Sequence, residues 1–138
     1  MNKRILFIED EVWSVDWCIE HFRQLGYDCD LVGDGEEAIK YLKRKKYALL
    51  SMDVSFPPGY ALSDVTAPTS AGVALLNRIR SGQIKNCDPK TKVVILTAVI
   101  DQAIENSIRN LGVSAYLKKP VDLQVILKTY ESVLSNKQ

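Results

Sequence analysis

The sequence predicts an α/β fold: a doubly wound, five-stranded parallel sheet with helices on both faces. Three observations predict it. Short apolar runs and amphipathic runs alternate strictly, five times over, which is the pattern of repeated strand–helix units. The short runs are continuously apolar and do not alternate, as expected of strands buried on both faces. The chain has 138 residues, 46% of them hydrophobic and 25% charged, enough to bury one core and too few for two. Residues 1–138 therefore read as a single domain, with no internal repeat, low-complexity tract or linker.

Arg4 to Ile8 is the first strand, and it stops abruptly at Glu9-Asp10-Glu11. Val12 to Leu25 reads as the first helix, because Trp13, Trp17, His21 or Phe22, and Leu25 recur three or four apart. Gly26 ends it. Cys29 to Val32 is a weaker strand. Asp34 caps the next helix, with Glu37 placed for a capping box. Ala38, Ile39 and Leu42 form its apolar face, and the cations from Lys43 to Lys46 suit its C-terminal dipole. Ala48 to Met52 is the third strand, ended by Asp53. Ser55 to Ala71, rich in Pro, Ser, Thr and Ala, reads as an extended loop. Gly72 to Arg80 is the third helix, with Val73, Leu76 and Ile79 on one side. Val93 to Leu96 is a strand ended by Thr97, and Asp101 to Leu111 is a helix stopped by Gly112. Ala115 to Leu117 is the fifth strand, followed by Lys118-Lys119-Pro120, and Leu123 to Leu134 is the last helix.

Composition excludes several classes of function. A net charge of +1 argues against binding nucleic acid through a general positive field. No apolar run reaches membrane-spanning length, and nothing resembles a signal peptide. Cys18, Cys29 and Cys87 are odd in number and fit no metal spacing. They read as reduced thiols of a cytoplasmic protein.

In open parallel sheets ligands gather at the carboxyl ends of the strands, beside the switch point of the strand order. The first strand delivers Glu9 and Asp10 there, the third Asp53, the fourth Thr97 and the fifth Lys119. If the order is 2-1-3-4-5, three carboxylates converge beside a hydroxyl and an ammonium. Carboxylates this close repel unless a cation or proton intervenes. Mg²⁺ takes one or two carboxylates together with waters and phosphate oxygens. Asp53 could then attack phosphorus, with Lys119 neutralising charge and Thr97 donating a hydrogen bond. Taken singly, each residue has a plainer role: a solvated acidic turn, a strand-end hydrogen bond, an exposed lysine. His21 lacks a second histidine and reads as a helix-face residue, and Trp13 and Trp17 read as core or near-surface packing.

The chain resembles the receiver domains of two-component response regulators. The resemblance is carried by Ile5-Leu6-Phe7-Ile8-Glu9-Asp10-Glu11, Gly26-Tyr27, Asp34-Gly35, Glu37-Ala38, Asp53 with Pro57, Leu96-Thr97-Ala98 and Tyr116-Leu117-Lys118-Lys119-Pro120, all in the right order from about Lys3 to Leu134. It implies the flavodoxin-like order 2-1-3-4-5. It also implies that Asp53 accepts a phosphoryl group from a histidine kinase or a histidine phosphotransfer protein, or sometimes from a small phosphodonor. Asp10 would ligate Mg²⁺ directly, Glu9 would act through water, and the Ser55 carbonyl would be a third protein ligand beside Asp53. Thr97 and Tyr116 would form the switch that alters a protein-interaction surface. Such a protein is not an enzyme beyond its own phosphorylation and dephosphorylation, and neither nucleic acid nor membrane is an expected partner. After Lys119 only one helix follows, so signalling is expected through contact with a downstream protein, unless the chain is a piece of something longer.

The sequence departs from the family in the long stretch between Asp53 and Gly72, and slightly between Ser81 and Lys92. The first insertion is expected to be a lid or docking element; a tolerated insertion is the alternative. Two other readings of the whole chain stand beside the main one. One is a receiver-like interaction module that works without phosphate. The other is an aspartate-nucleophile phosphatase, which would want an acid where Ser55 stands. A flavin carrier fits poorly with an acidic mouth.

Overall fold

A computed structural model of the chain describes residues 2–62, 64–65 and 67–136; Met1, Ser63, Thr66, Lys137 and Gln138 lie outside the described residues. Five strands, β1 (Arg4–Ile8), β2 (Asp28–Val32), β3 (Leu49–Met52), β4 (Val93–Thr97) and β5 (Ala115–Lys118), form one parallel sheet in the order β2-β1-β3-β4-β5. The helices are α1 (Asp16–Gln24), α2 (Gly35–Arg44), α3 (Ala71–Arg80), α4 (Gln102–Leu111) and α5 (Leu123–Ser135). Fold class and strand order are those expected. Among the described residues no helix is long and apolar enough to cross a membrane.

Alternate residues of each strand feed two cores. Leu6, Ile8, Leu50, Met52, Val93 and Ile95 pack beneath α2, α3 and α4. Ile5, Phe7, Leu49, Val94 and Leu96 pack beneath α1 and α5. This second core holds a polar pair: Ser51 Oγ and Tyr130 OH lie 2.5 Å apart, both buried, and the Tyr130 ring stacks on Phe7 and Phe22.

Caps mark most helix ends where the sequence places them. Asp34 accepts from the Glu37 amide at 2.7 Å, Asp101 accepts from Ala103 and Ile104, and Gly112 closes α4 at φ +97°. The first helix differs from expectation. Val12–Ser14 is a separate 3-10 turn, and α1 begins only at Asp16. Its buried face is Val15, Cys18, Ile19 and Phe22, whereas Trp13 is 71% exposed and Leu25 49%. Ser14 explains the break, because its hydroxyl reaches back to the Glu11 carbonyl at 2.8 Å and to Glu9 Oε1 at 3.1 Å. The tightened turn leaves Trp13 outside the helix, while Trp17 and Phe22 still pack on the core.

The insertion is not a free loop. It contains two 3-10 turns, Tyr60–Leu62 and Pro68–Ser70, and it buries Phe56 and Leu62 completely in the α2/α3 core. The Tyr60 amide donates to Glu36 Oε1 at 2.8 Å, and the Gly35 amide donates to the Pro57 carbonyl at 2.9 Å. Arg78 on α3 donates to the Ala61 carbonyl and pairs with Asp64 at 2.9 Å. Two glycines permit the close approaches. Gly59 turns at φ +73°, and a Cβ on Gly72 would lie 2.7 Å from the Val54 carbonyl. With these ties the segment braces α2 against α3. Leu62→Ala should therefore cost about 2–5 kcal/mol of stability, and Tyr60→Ala no more than about 0.5 kcal/mol. Urea unfolding of the two variants would check this; equal midpoints would make the insertion a mere appendage.

Candidate functional site

Strand pairing sets the site. Ile8 is level with Met52, Met52 with Ile95, and Thr97 with Lys118. The residues that follow the strands, Glu9, Asp53 and Lys119, therefore emerge beside Thr97 at one edge of the sheet. Backbone bonds fix the exits: the Asp53 amide donates to the Ile8 carbonyl at 3.0 Å and the Lys119 amide to the Thr97 carbonyl at 2.8 Å.

Asp53 is nearly buried, and its two oxygens differ. Oδ1 accepts from the Thr97 hydroxyl and from the Val54 amide, each at 2.6 Å, and from the Ser55 amide at 3.3 Å. Oδ2 faces Lys119 Nζ at 3.9 Å. The same ammonium donates to Glu9 Oε1 at 2.9 Å. Glu9 is only 3% exposed. Burial pushes its carboxyl above the usual carboxylate range, and the bond from Lys119 opposes that only in part.

Glu9, Asp10 and Glu11 place oxygen atoms within 4.8 Å of one another, and Asp10 is exposed at the rim. Asp53 lies outside that trio and is linked to Glu9 through Lys119. Glu11 and Ser14 were not assigned a role from the sequence. The Glu11 amide and the Ser14 hydroxyl both donate to Glu9, at 3.4 and 3.1 Å. The signal for them was the unbroken acidic run, with a serine one turn beyond it. The Ser55 position falls at the root of the insertion, where its amide already turns toward Asp53. Lys119-Pro120 is a cis peptide.

Tyr116 on β5 is 9% exposed, with the Arg109 guanidinium 5.2 Å from its ring centroid. Glu105 beside it pairs with Lys118 and Arg109, each at 2.8 Å. His21 stands apart from the site, 3.4 Å from Glu131.

The arrangement holds one carboxylate oxygen in a cage of three donors and leaves its twin next to an ammonium. That suits nucleophilic attack by Asp53 on a phosphoryl group. Lys119 also has a structural duty. Lys119→Met should cost about 3 kcal/mol at pH 7 in chelator-treated buffer, because Glu9 is left buried and unpaired. The variant raises the folded pKa of Glu9 further, so the penalty is absent below the parent's folded value, grows as pH rises from there to the variant's, and is constant above it. Unfolding free energies across the acid range would test the sign; a penalty independent of pH would contradict it.

Comparison with known proteins agrees with this geometry. Residues 5–131 match the family described as the response regulator receiver domain. The chain is 32% identical to the transcriptional regulatory protein CrdR of Helicobacter pylori over 123 residues, 89% of this chain and 51% of that protein. It is 29% identical to the DNA-binding transcriptional regulator NtrC of Escherichia coli K12 over 139 residues, 100% of this chain and 26% of that one. It thus spans about half of the first and a quarter of the second. The crystal structure of the receiver domain of the sensor histidine kinase PA1611 from Pseudomonas aeruginosa shares the fold, with a TM-score of 0.73 and 23% identity, covering 99% of this chain and 100% of that one. That structure has a magnesium ion coordinated in its active site cleft.

Proposed function

Because the chain belongs to the response regulator receiver domain family, we propose that Asp53 takes a phosphoryl group from a histidine kinase or a histidine phosphotransfer protein, with Mg²⁺ beside it, and that the altered surface is read by a downstream protein. The observation that carries this reading is the asymmetry of Asp53. Three donors fix Oδ1, and Oδ2 is left facing Lys119. Oδ2 is the nucleophile. Lys119 balances the charge that accumulates on the phosphoryl oxygens, and the Thr97 hydroxyl is close enough to transfer its hydrogen bond from Oδ1 to one of them.

The donor set fits Mg²⁺. Glu9, Asp10 and Glu11 offer hard carboxylate oxygens within 4.8 Å, and Asp53 stands alongside. Asp10, exposed at the rim, would hold the ion directly with Asp53 and the Ser55 carbonyl, and Glu9 would act through water. Bound there, the ion would neutralise phosphate charge and orient the donor. The switch follows from Thr97. Once its hydroxyl engages the phosphoryl group, Thr97 moves toward the site and vacates space that Tyr116 fills. The surface of α4, β5 and α5 changes with it as a population shift.

Ser55, where an aspartate-nucleophile phosphatase would carry its general acid, cannot protonate a leaving group, so Asp53 is an acceptor and no turnover of external phosphate esters follows. Asp53→Asn keeps the shape and removes the nucleophile. It should abolish the hydroxylamine-sensitive mass gain that the parent shows with acetyl phosphate and Mg²⁺. Full labelling of the variant would sink the assignment, and a parent that takes no label would favour the phosphate-independent module. Asp10→Ala should weaken Mg²⁺ binding and phosphorylation together, at least about ten-fold. A magnesium titration followed by the fluorescence of Trp13 and Trp17 measures the first and intact mass the second; an unchanged titration would remove Asp10 from the ligand set.

A further inference from the structure

A pocket of about 380 Å³ adjoins Asp53 and Lys119. Its charged lining residues are Glu11, Asp53 and Lys119. Trp13, Trp17, Pro120, Val121 and Ile126 also line it, with the buried Leu96. Most of this surface is apolar or aromatic, which is unusual so close to an acidic centre. Trp13 belongs to neither core and is 71% exposed. Its position is nonetheless defined. It sits in the 3-10 turn that Ser14 ties to Glu9 and Glu11, and Trp17 is anchored through its indole N–H to the Ser14 carbonyl at 3.2 Å.

We propose that this pocket receives the aromatic leaving group of the phosphodonor, the imidazole of a phosphohistidine, and that Trp13 determines selectivity for it. The inference rests on the reading of Asp53 as phospho-acceptor. In-line displacement places the leaving atom opposite the attacking oxygen, so a donor whose phosphorus lies against Oδ2 must house the rest of its structure in the space adjoining the acceptor. Ammonia or acetate gains nothing from a tryptophan wall. A planar heteroaromatic ring gains a stacking partner, and a ring that carries positive charge gains a cation–π contact with the indole face. Apolar side chains flanking the histidine of a protein donor meet Pro120 and Val121 at the same time. In the reaction the N–P bond breaks as the Oδ2–P bond forms. The ring, protonated on its distal nitrogen, leaves as neutral imidazole with the electron pair of the broken bond.

The experiment compares two small donors, monophosphoimidazole and phosphoramidate, each with Mg²⁺, on the full chain and on Trp13→Ala and Trp13→Phe. Because Trp13 is exposed, neither substitution disturbs a core. The ratio of the Asp53 labelling rate with monophosphoimidazole to that with phosphoramidate should fall about three- to ten-fold in Trp13→Ala and be largely restored in Trp13→Phe. A ratio unchanged in Trp13→Ala overturns the assignment of the pocket while leaving Asp53 as acceptor. A ratio that falls equally in both variants overturns the stacking role. If neither donor labels the unaltered chain, the phospho-acceptor reading fails, and the pocket assignment fails with it.

Discussion

Two carboxylates stand buried at the ends of adjacent strands, and one ammonium reaches both. The adjacency of β1 and β3 brings Glu9 beside Asp53, and it is unavoidable once the strand order is set. Low-dielectric surroundings magnify the repulsion between the two acids. Lys119 Nζ lies 2.9 Å from one and 3.9 Å from the other, so the fifth strand must end where it does for the first and third to tolerate their termini. Thr97, fully buried, completes the enclosure by binding Asp53 from β4. A site that concentrates negative charge around one ammonium is also one whose balance shifts when charge is added to it.

Much of this was legible in the sequence, because the residues concerned sit at discontinuities. A run such as Ile5-Leu6-Phe7-Ile8 that collapses into Glu9-Asp10-Glu11 marks both a strand and its end, and Asp53, Thr97 and Lys119 repeat the signal. The supporting residues carry no such mark. Ser14 acts through a five-residue reach to Glu9 and breaks the helix before Asp16, so of the residues that the periodicity singled out Phe22 and Trp17 pack on the core whereas Trp13 and Leu25 do not. The rest of the buried face, Cys18 and Ile19, was less conspicuous than two tryptophans. Tyr116 packs with Arg109 over its ring, a tertiary contact between neighbouring elements that no sequence pattern marks.

The insertion shows the same limit from the other side. Proline, glycine and small polar residues predict irregular backbone, and irregular backbone is what forms. Composition says nothing of where Phe56 and Leu62 go. That depends on Gly35, Gly59 and Gly72, whose missing side chains let the segment lie directly on α2 and let α3 start against Val54. Phe56 and Leu62 of this stretch belong to the core beneath α2 and α3 that also holds the acceptor strand.

The Ser51–Tyr130 bond gives α5 a property that apolar packing alone would not. Greasy surfaces slide past one another in small steps, whereas a hydroxyl pair sealed in hydrocarbon has a single register in which both partners are satisfied. Shifting α5 by one turn would strand two polar atoms at a cost of about 1–3 kcal/mol each. Ser51 lies two positions before Asp53 on the same strand. The last helix is therefore keyed to the acceptor strand like a tooth in a ratchet, with one register favoured over its neighbours.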